Sequence, residues 1–250
     1  MGVVQGLEID TERARGDILD PCRTAHVVKG FLDPDQLAGY FDEINGIYAH
    51  AERDTEKPLT VDRADYVLPW LYCQERKRFM VHRIYCFPCN EGGTLHGGVH
   101  AAVMRTRDEI EADWDNSPVY RAKNYRSLHI ITKYEDGSDG YPRHSDVPFE
   151  HPTPMLQCWL QLTTPGVDFN GGDLVLHPPG GGSLSAFADL GITAGDLVFF
   201  DKRTEHEVTA CAGVEGGRGR WISIIGAMAP MEDAPSDFSA SVIPRGVPRA

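Results

Sequence analysis

SLHIITKYEDGSDGYPRHSDVP, residues 127–148, begins as a strand and ends as something else. Ser127 to Tyr134 is a β-branched and aromatic run of strand type. EDGSDG then brings glycine and aspartate turn chemistry, and a short extended piece delivers His144 and Asp146. The same grammar continues to residue 228. PMLQCWLQLT, GDLVLHP, GDLVFF, HEVTAC and RWISIIGAM are short strand-like runs separated by turn residues. Short strands in succession, with no helical pattern between them, predict a mainly β sandwich or barrel rather than a βαβ array.

Ahead of this half, TAHVVKGFL (residues 24–32) reads as a strand and the segment after it as a helix. Asp33 is placed as N-cap and Pro34 as first helical residue, and Leu37, Tyr40, Phe41, Ile44 and Ile47 recur at helical spacing. VMRTRDEIEADWD predicts a second helix over 103–115, its acids forming a solvated face. Residues 52–100 carry no sustained period and read as loops suited to substrate contact. The polar, proline-dotted end reads as a tail. The expectation is one domain over 1–250: strand, helices and substrate loops at 24–125, a β core at 126–228, and a tail at 229–250.

Composition narrows the function. With 41% hydrophobic and 24% charged residues, the 250-residue chain has ordinary globular usage. A net charge of -13 repels nucleic acid and anionic membrane surfaces, so small-molecule or protein partners are favoured. The chain offers no apolar run of membrane-spanning length and no secretory signal pattern, so a cytoplasmic location is expected. The six cysteines are thinly spread and expected to be reduced. The one tight pair, Cys86 and Cys89 in CFPC, lacks the second pair that a zinc site requires and reads as packed thiols, although His82 and His96 flank it. The GGDL and PPGGG glycines match no phosphate-loop spacing.

The chemistry gathers at His144-Ser-Asp146. Residues i and i+2 of an extended segment share a face, so imidazole and carboxylate converge on one point. Such a pair suits iron(II), and a third ligand would complete a 2-His-1-carboxylate facial triad with open coordination positions. His206, on a later strand-like run, is the candidate for that third place. Arg220 opens the next strand. A guanidinium inside a β core requires an anion, and a dicarboxylic cosubstrate would serve.

In this order the residues resemble the iron(II)- and 2-oxoglutarate-dependent dioxygenases, in their prolyl-hydroxylase-like branch. The resemblance rests on Tyr134, the turn EDGSDGYPR, His144 and Asp146, GGDLVLHP, GDLVFF, His206 and Arg220, and extends loosely to HVVKGFLDPDQLAGYFDEI. It implies a double-stranded β-helix (jelly roll) core with flanking N-terminal helices. It also implies iron bound by His144, Asp146 and His206, and Arg220 against the distal carboxylate of 2-oxoglutarate. Tyr134 would hydrogen-bond the cosubstrate, with Gln161 and Trp159 as inward neighbours. The implied reaction uses O2, turns 2-oxoglutarate into succinate and CO2, and hydroxylates an unactivated C–H bond. The carboxylate at 146 favours hydroxylation, because related halogenases carry a small residue there.

Two departures accompany the likeness. The interval between His206 and Arg220, lengthened by CAGVEGGRG, leaves Arg218 as a competitor for the arginine role. Ser223 stands three residues beyond Arg220, against two in a plant-type motif. Around the motif, His151, Tyr141 and Arg143 are candidates for the substrate pocket, whereas His129 and His177 read as packing or loop residues. The substrate is expected to be a small molecule such as an amino acid or biosynthetic intermediate. A protein side-chain hydroxylase and a non-catalytic metal or 2-oxoglutarate sensor are the alternatives.

Overall fold

The computed structural model describes residues 9–50, 52–53, 65–74, 77–86, 95–112, 114, 125–134, 136–138, 140–146 and 155–230. The elements begin with α1 (Thr11–Leu19), β1 (Ala25–Val28), α2 (Pro34–His50), β2 (Glu52–Arg53), β3 (Asp65–Gln74), β4 (Lys77–Cys86) and α3 (Leu95–Glu111). They continue with β5 (Tyr125–Tyr134), β6 (Tyr141–His144), β7 (Leu156–Gln161), β8 (Phe169–Gly171), β9 (Leu174–His177) and β10 (Leu184–Ser185). The last four are β11 (Leu197–Asp201), β12 (Glu205–Val208), β13 (Cys211–Gly213) and β14 (Arg220–Pro230).

The strands form an eight-stranded sheet, β1-β11-β7-β14-β5-β4-β3-β2, a four-stranded sheet, β10-β9-β12-β6, and a β13-β8 pair. Pairing is antiparallel apart from the short β2–β3 contact. Side-chain alternation then sorts the apolar residues onto two faces of the large sheet. Leu156, Cys158 and Leu160 of β7, Leu197 and Phe199 of β11, and Trp221 and Ile225 of β14 join a cluster with Ala14, Ile18, Tyr40, Phe41, Ile44, Val99 and Val103 of the helices. Trp159, Val198, Phe200 and Ile222, from the alternate positions, pack with Leu174, Leu176 and Val208 of the small sheet. Strands buried on both sides read as continuous apolar runs, which is why LVFF shows no alternation.

Local signals hold the helices in place. At α2, Asp33 accepts from the Gln36 backbone N–H at 2.8 Å while Gln36 Oε1 accepts from the Asp33 N–H at 3.2 Å, a reciprocal cap at the predicted start. The end of α3 is closed from outside: Arg15 of α1 donates to the carbonyls of Ile110, at 2.7 Å, and Glu109, at 2.5 Å. Glu111 then binds the helix to the sheet by accepting from the Leu156 N–H at 3.0 Å.

Three sequence expectations are corrected. Ahead of the strand at 24–32, where no element was expected, lies α1, a short helix that buries only Ala14 and Ile18 and so leaves little periodicity. The second helix spans Leu95–Glu111 rather than 103–115. Gly97 and Gly98 argue against a helix there, but Glu43 of α2 accepts from the Leu95 N–H at 3.0 Å and Val99 is fully buried, so tertiary contact overrides propensity. Part of the supposed loop region at 52–100 is strand: β3 and β4 form a long hairpin that continues the large sheet from β5. Among the described residues, no helix is long and apolar enough to cross a membrane. The cysteines Cys22, Cys158 and Cys211 are free thiols, and burial pushes Cys158 up to about 12.

Candidate metal centre

Strands β6 and β12 are neighbours in the small sheet, and their register sets His144 directly opposite His206, with ring centroids 4.3 Å apart. Asp146 follows just past the end of β6, where its backbone N–H donates to the Lys202 carbonyl at 3.1 Å. Its Oδ1 lies 3.5 Å from His144 Nε2. One ligand atom from each of His144, Asp146 and His206 falls within 4.8 Å of the others. Phe200 lies 5.1 Å from the His206 ring and Tyr141 4.7 Å from the His144 ring, giving the cluster aromatic flanks.

The donor chemistry fits a divalent metal. His144 Nδ1 faces the Pro142 carbonyl at 2.9 Å and His206 Nδ1 faces the Thr204 carbonyl at 3.0 Å. A nitrogen against a carbonyl carries the proton, so each ring keeps its Nε2 lone pair for a ligand. Burial pushes His206 below its ordinary value, toward the neutral imidazole a metal requires. Burial opposes the charge on Asp146, but a hydrogen bond from His144 and the positive charge of His206 and His144, when the imidazoles are protonated in the absence of metal, together with Lys202, outweigh it. The carboxyl is held well below the usual carboxylate range. Its Oδ2 is buried with no hydrogen-bond partner among the described residues.

A second group stands on the large sheet. Arg220 is fully buried, opposite Tyr134 in the β14–β5 register. Its guanidinium carbon lies 4.4 Å from the Tyr134 ring centroid and 5.4 Å from that of Trp159. None of its three side-chain nitrogens has a hydrogen-bond partner of good geometry among the described residues. Burial works against the charge, while Tyr134, Cys211 and Asp173 favour it, and a guanidinium remains protonated under such influences. Space for this side chain comes from Gly172, at φ +61°, where a Cβ would lie 2.6 Å from Arg220 Cδ.

Other unsatisfied polar atoms share that face. Trp159 Nε1, Gln161 Oε1 and Thr132 Oγ1 are buried without partners among the described residues. Gln161 Nε2 donates to the Thr163 carbonyl at 2.6 Å. Gln161 and Thr132 both lie level with Ile222, which belongs to the core between the sheets. Thr132 and Gly172 were not recognised as site residues from sequence; the doubled glycine of NGGDL was the available signal for the second.

The competing candidates separate. Arg218 is engaged elsewhere, in a two-pronged pair with Asp168: Nε to Oδ1 at 2.9 Å and the terminal amine to Oδ2 at 3.1 Å. It also lies over the Phe41 ring, on the helix side of the sheet. Ser223 faces the helices too, its Oγ 3.0 Å from the Tyr40 hydroxyl of α2. Arg143 is exposed and paired with Glu205, and His177 pairs with Glu207 at 3.1 Å. The side chains of Cys86, Cys89, His82, His96, His129 and His151 lie outside the described residues, as does the segment 231–250.

No family model and no curated protein matches the sequence. Solved structures do match. A prolyl-4-hydroxylase from Pseudomonas putida superposes with a TM-score of 0.57 at 17% identity, over 86% of this chain and 97% of that one. The non-heme alpha-ketoglutarate-dependent epimerase SnoN of nogalamycin biosynthesis gives 0.56 at 15%, over 96% and 91%. A prolyl hydroxylase from Trichoplax adhaerens, in complex with a hypoxia-inducible-factor peptide fragment, gives 0.56 at 15%, over 86% and 90%. Identities this low speak for architecture, and in architecture the chain has the fold of the prolyl hydroxylases and other 2-oxoglutarate–Fe(II) oxygenases.

Proposed function

We propose that this protein is an iron(II)- and 2-oxoglutarate-dependent oxygenase that hydroxylates a small molecule, and that its two facing sheets form a jelly-roll core. One observation carries the reading: a fully buried guanidinium, with no carboxylate hydrogen-bonded to it among the described residues, lies against Tyr134 and Trp159 of the core between the sheets, the core whose Phe200 packs on His206 of the His144, Asp146 and His206 cluster. A metal site alone fits many activities. A metal site with an unneutralised buried cation calls for a ligand that chelates at one end and is anionic at the other, as 2-oxoglutarate is.

The roles follow from the residues. His144, Asp146 and His206 hold the iron, with backbone carbonyls fixing both imidazoles for coordination through Nε2. Iron held there would supply the oxidising chemistry that, with O2, converts 2-oxoglutarate to succinate and CO2 while oxidising a C–H bond. Arg220 binds the distal carboxylate. Tyr134 and Trp159 flank its guanidinium, and Gln161 borders the same chamber. Phe200, Val208 and Leu176 exclude water from the inner wall. Asp146, held well below the usual carboxylate range, presents a carboxylate to the metal.

The small-molecule preference draws on the acidic net charge and on the match to an epimerase and a carbocyclase of nogalamycin biosynthesis. Peptide hydroxylation is the competing reading, supported by the prolyl hydroxylases among the structural matches. Anaerobic addition of Fe(II) and 2-oxoglutarate should give the visible charge-transfer band of the chelate in the wild type. His144→Ala and Asp146→Ala should lose it through loss of iron, and Arg220→Met through loss of the cosubstrate. A wild type without the band refutes the assignment. Succinate release across panels of small molecules and proline-containing peptides then decides the substrate class, and release with neither would favour a sensor.

A further inference from the structure

Trp159 is an unusual lining for an anion site. It is 2% exposed, it stands on the inner face of β7, and its Nε1–H has no acceptor among the described residues. A buried indole N–H ordinarily finds a partner, and leaving one unmade costs about as much as a lost hydrogen bond. Its ring contacts the Arg220 guanidinium, whose nitrogens are equally unpartnered. Two unsatisfied donors in direct contact, on adjacent strands and one face, ask for a common acceptor. Among the described residues, the open acceptors on this face are Gln161 Oε1, whose amide N–H is spent on Thr163, and Thr132 Oγ1, and neither bonds the indole or the guanidinium.

We propose that Trp159 determines cosubstrate specificity by donating its Nε1–H to the same carboxylate that Arg220 binds. This rests on the oxygenase reading above and adds a residue-level claim to it. The rings of Tyr134 and Trp159 lie against the guanidinium, and its nitrogens have no hydrogen-bond partner of good geometry among the described residues. The indole therefore has two functions, one of its ring and one of its edge. The ring fixes the cation, and the N–H adds a directional donor that rewards an acid with a distal carboxylate over one without.

Trp159→Phe separates the two functions, since phenylalanine keeps an aromatic face and lacks the donor. With Fe(II) under anaerobic conditions, the variant should bind 2-oxoglutarate about tenfold or more weakly, the usual effect of losing a hydrogen bond to a charged group. Its affinity for oxalate, which has the chelating end and no distal carboxylate, should be unchanged. Unaltered 2-oxoglutarate affinity, or a parallel loss for both ligands, overturns the role of the N–H. A measurement on the unmutated protein guards against a variant that fails to fold. In the Zn(II)-loaded wild type, the Trp159 indole N–H resonance should move downfield on adding 2-oxoglutarate and stay in place with oxalate. A resonance indifferent to 2-oxoglutarate that demonstrably binds overturns this inference alone, whereas a wild type that binds no 2-oxoglutarate sinks it together with the oxygenase reading.

Discussion

Replacing Gly172 with alanine tests whether the arginine chamber is built as described. Gly172 adopts φ +61°, and an added Cβ would lie 2.6 Å from Arg220 Cδ, 3.2 Å from its Nε and 3.3 Å from Cys211 Sγ. The left-handed backbone costs a non-glycine residue about 1–2 kcal/mol. Crowding of a packed core adds about 1–3 kcal/mol when neighbours cannot retreat, and Arg220 is fully buried. A total of about 2–5 kcal/mol corresponds to a melting temperature lowered by roughly 4–20 °C in a protein of this size. If Arg220 moves aside instead, the crowding is relieved and the loss falls toward the backbone cost alone. The guanidinium then leaves its position and 2-oxoglutarate binding weakens. Stability and affinity are thus linked, and calorimetric melting together with anaerobic 2-oxoglutarate titration reads both. Gly182→Ala is the control, with φ +85° and nothing within 4 Å of the added Cβ; it should show the backbone cost and unchanged binding. A Gly172→Ala protein that melts and binds like the wild type refutes the packing argument.

Other outcomes follow from the same contacts. Arg218→Met should leave 2-oxoglutarate affinity within about twofold, because Arg218 is engaged with Asp168; a large loss in the titration would return the cosubstrate role to it. Ser223→Ala removes the buried contact with the Tyr40 hydroxyl, which should cost about 1 kcal/mol and leave metal binding intact, as melting and metal titration would show. Asp168 is held below its ordinary value: burial opposes its charge, but Arg218 and the Thr164 and Arg218 backbone N–H groups outweigh that. Its stabilising contribution is complete above the unfolded value near about pH 4 and is lost as pH falls through the lower folded value. The melting-temperature gap between wild type and Asp168→Asn should therefore be widest near neutral pH and close below about pH 4; a gap that does not vary with pH would contradict this.

The legible parts of the molecule were those in which one local pattern had one meaning. Asp33 and Pro34 start a helix wherever their chain lies, and His144 and Asp146, two apart on extended backbone, converge regardless of what packs behind them. Illegible parts depended on distant residues. The start of α3 is held by Glu43 and by packing across α2, so its glycines misled the reading. The hairpin of β3 and β4 finds its place by pairing with β5, and that partner cannot be inferred from a segment mixing aromatic, charged and proline residues. Arg218 precedes β14, and Gly219 between the two arginines, at φ +79°, breaks the alternation that would set both side chains on one face. Asp168, fifty positions away and invisible as a partner in the sequence, engages Arg218. Gly172, in the GGDL stretch that matched no phosphate-loop spacing, is the gap that admits Arg220.

A guanidinium held by aromatic faces leaves the ligand-free protein with an uncancelled charge in its core. That charge makes the fold responsive to what is dissolved around it. Any anion that enters the chamber stabilises the native state by mass action, reaching about 2.7 kcal/mol at a concentration one hundred times its dissociation constant. The thermal stability of this protein is therefore partly a property of its solution. On the oxygenase proposal, the supply of the matching dicarboxylate would add to how much of the chain stays folded.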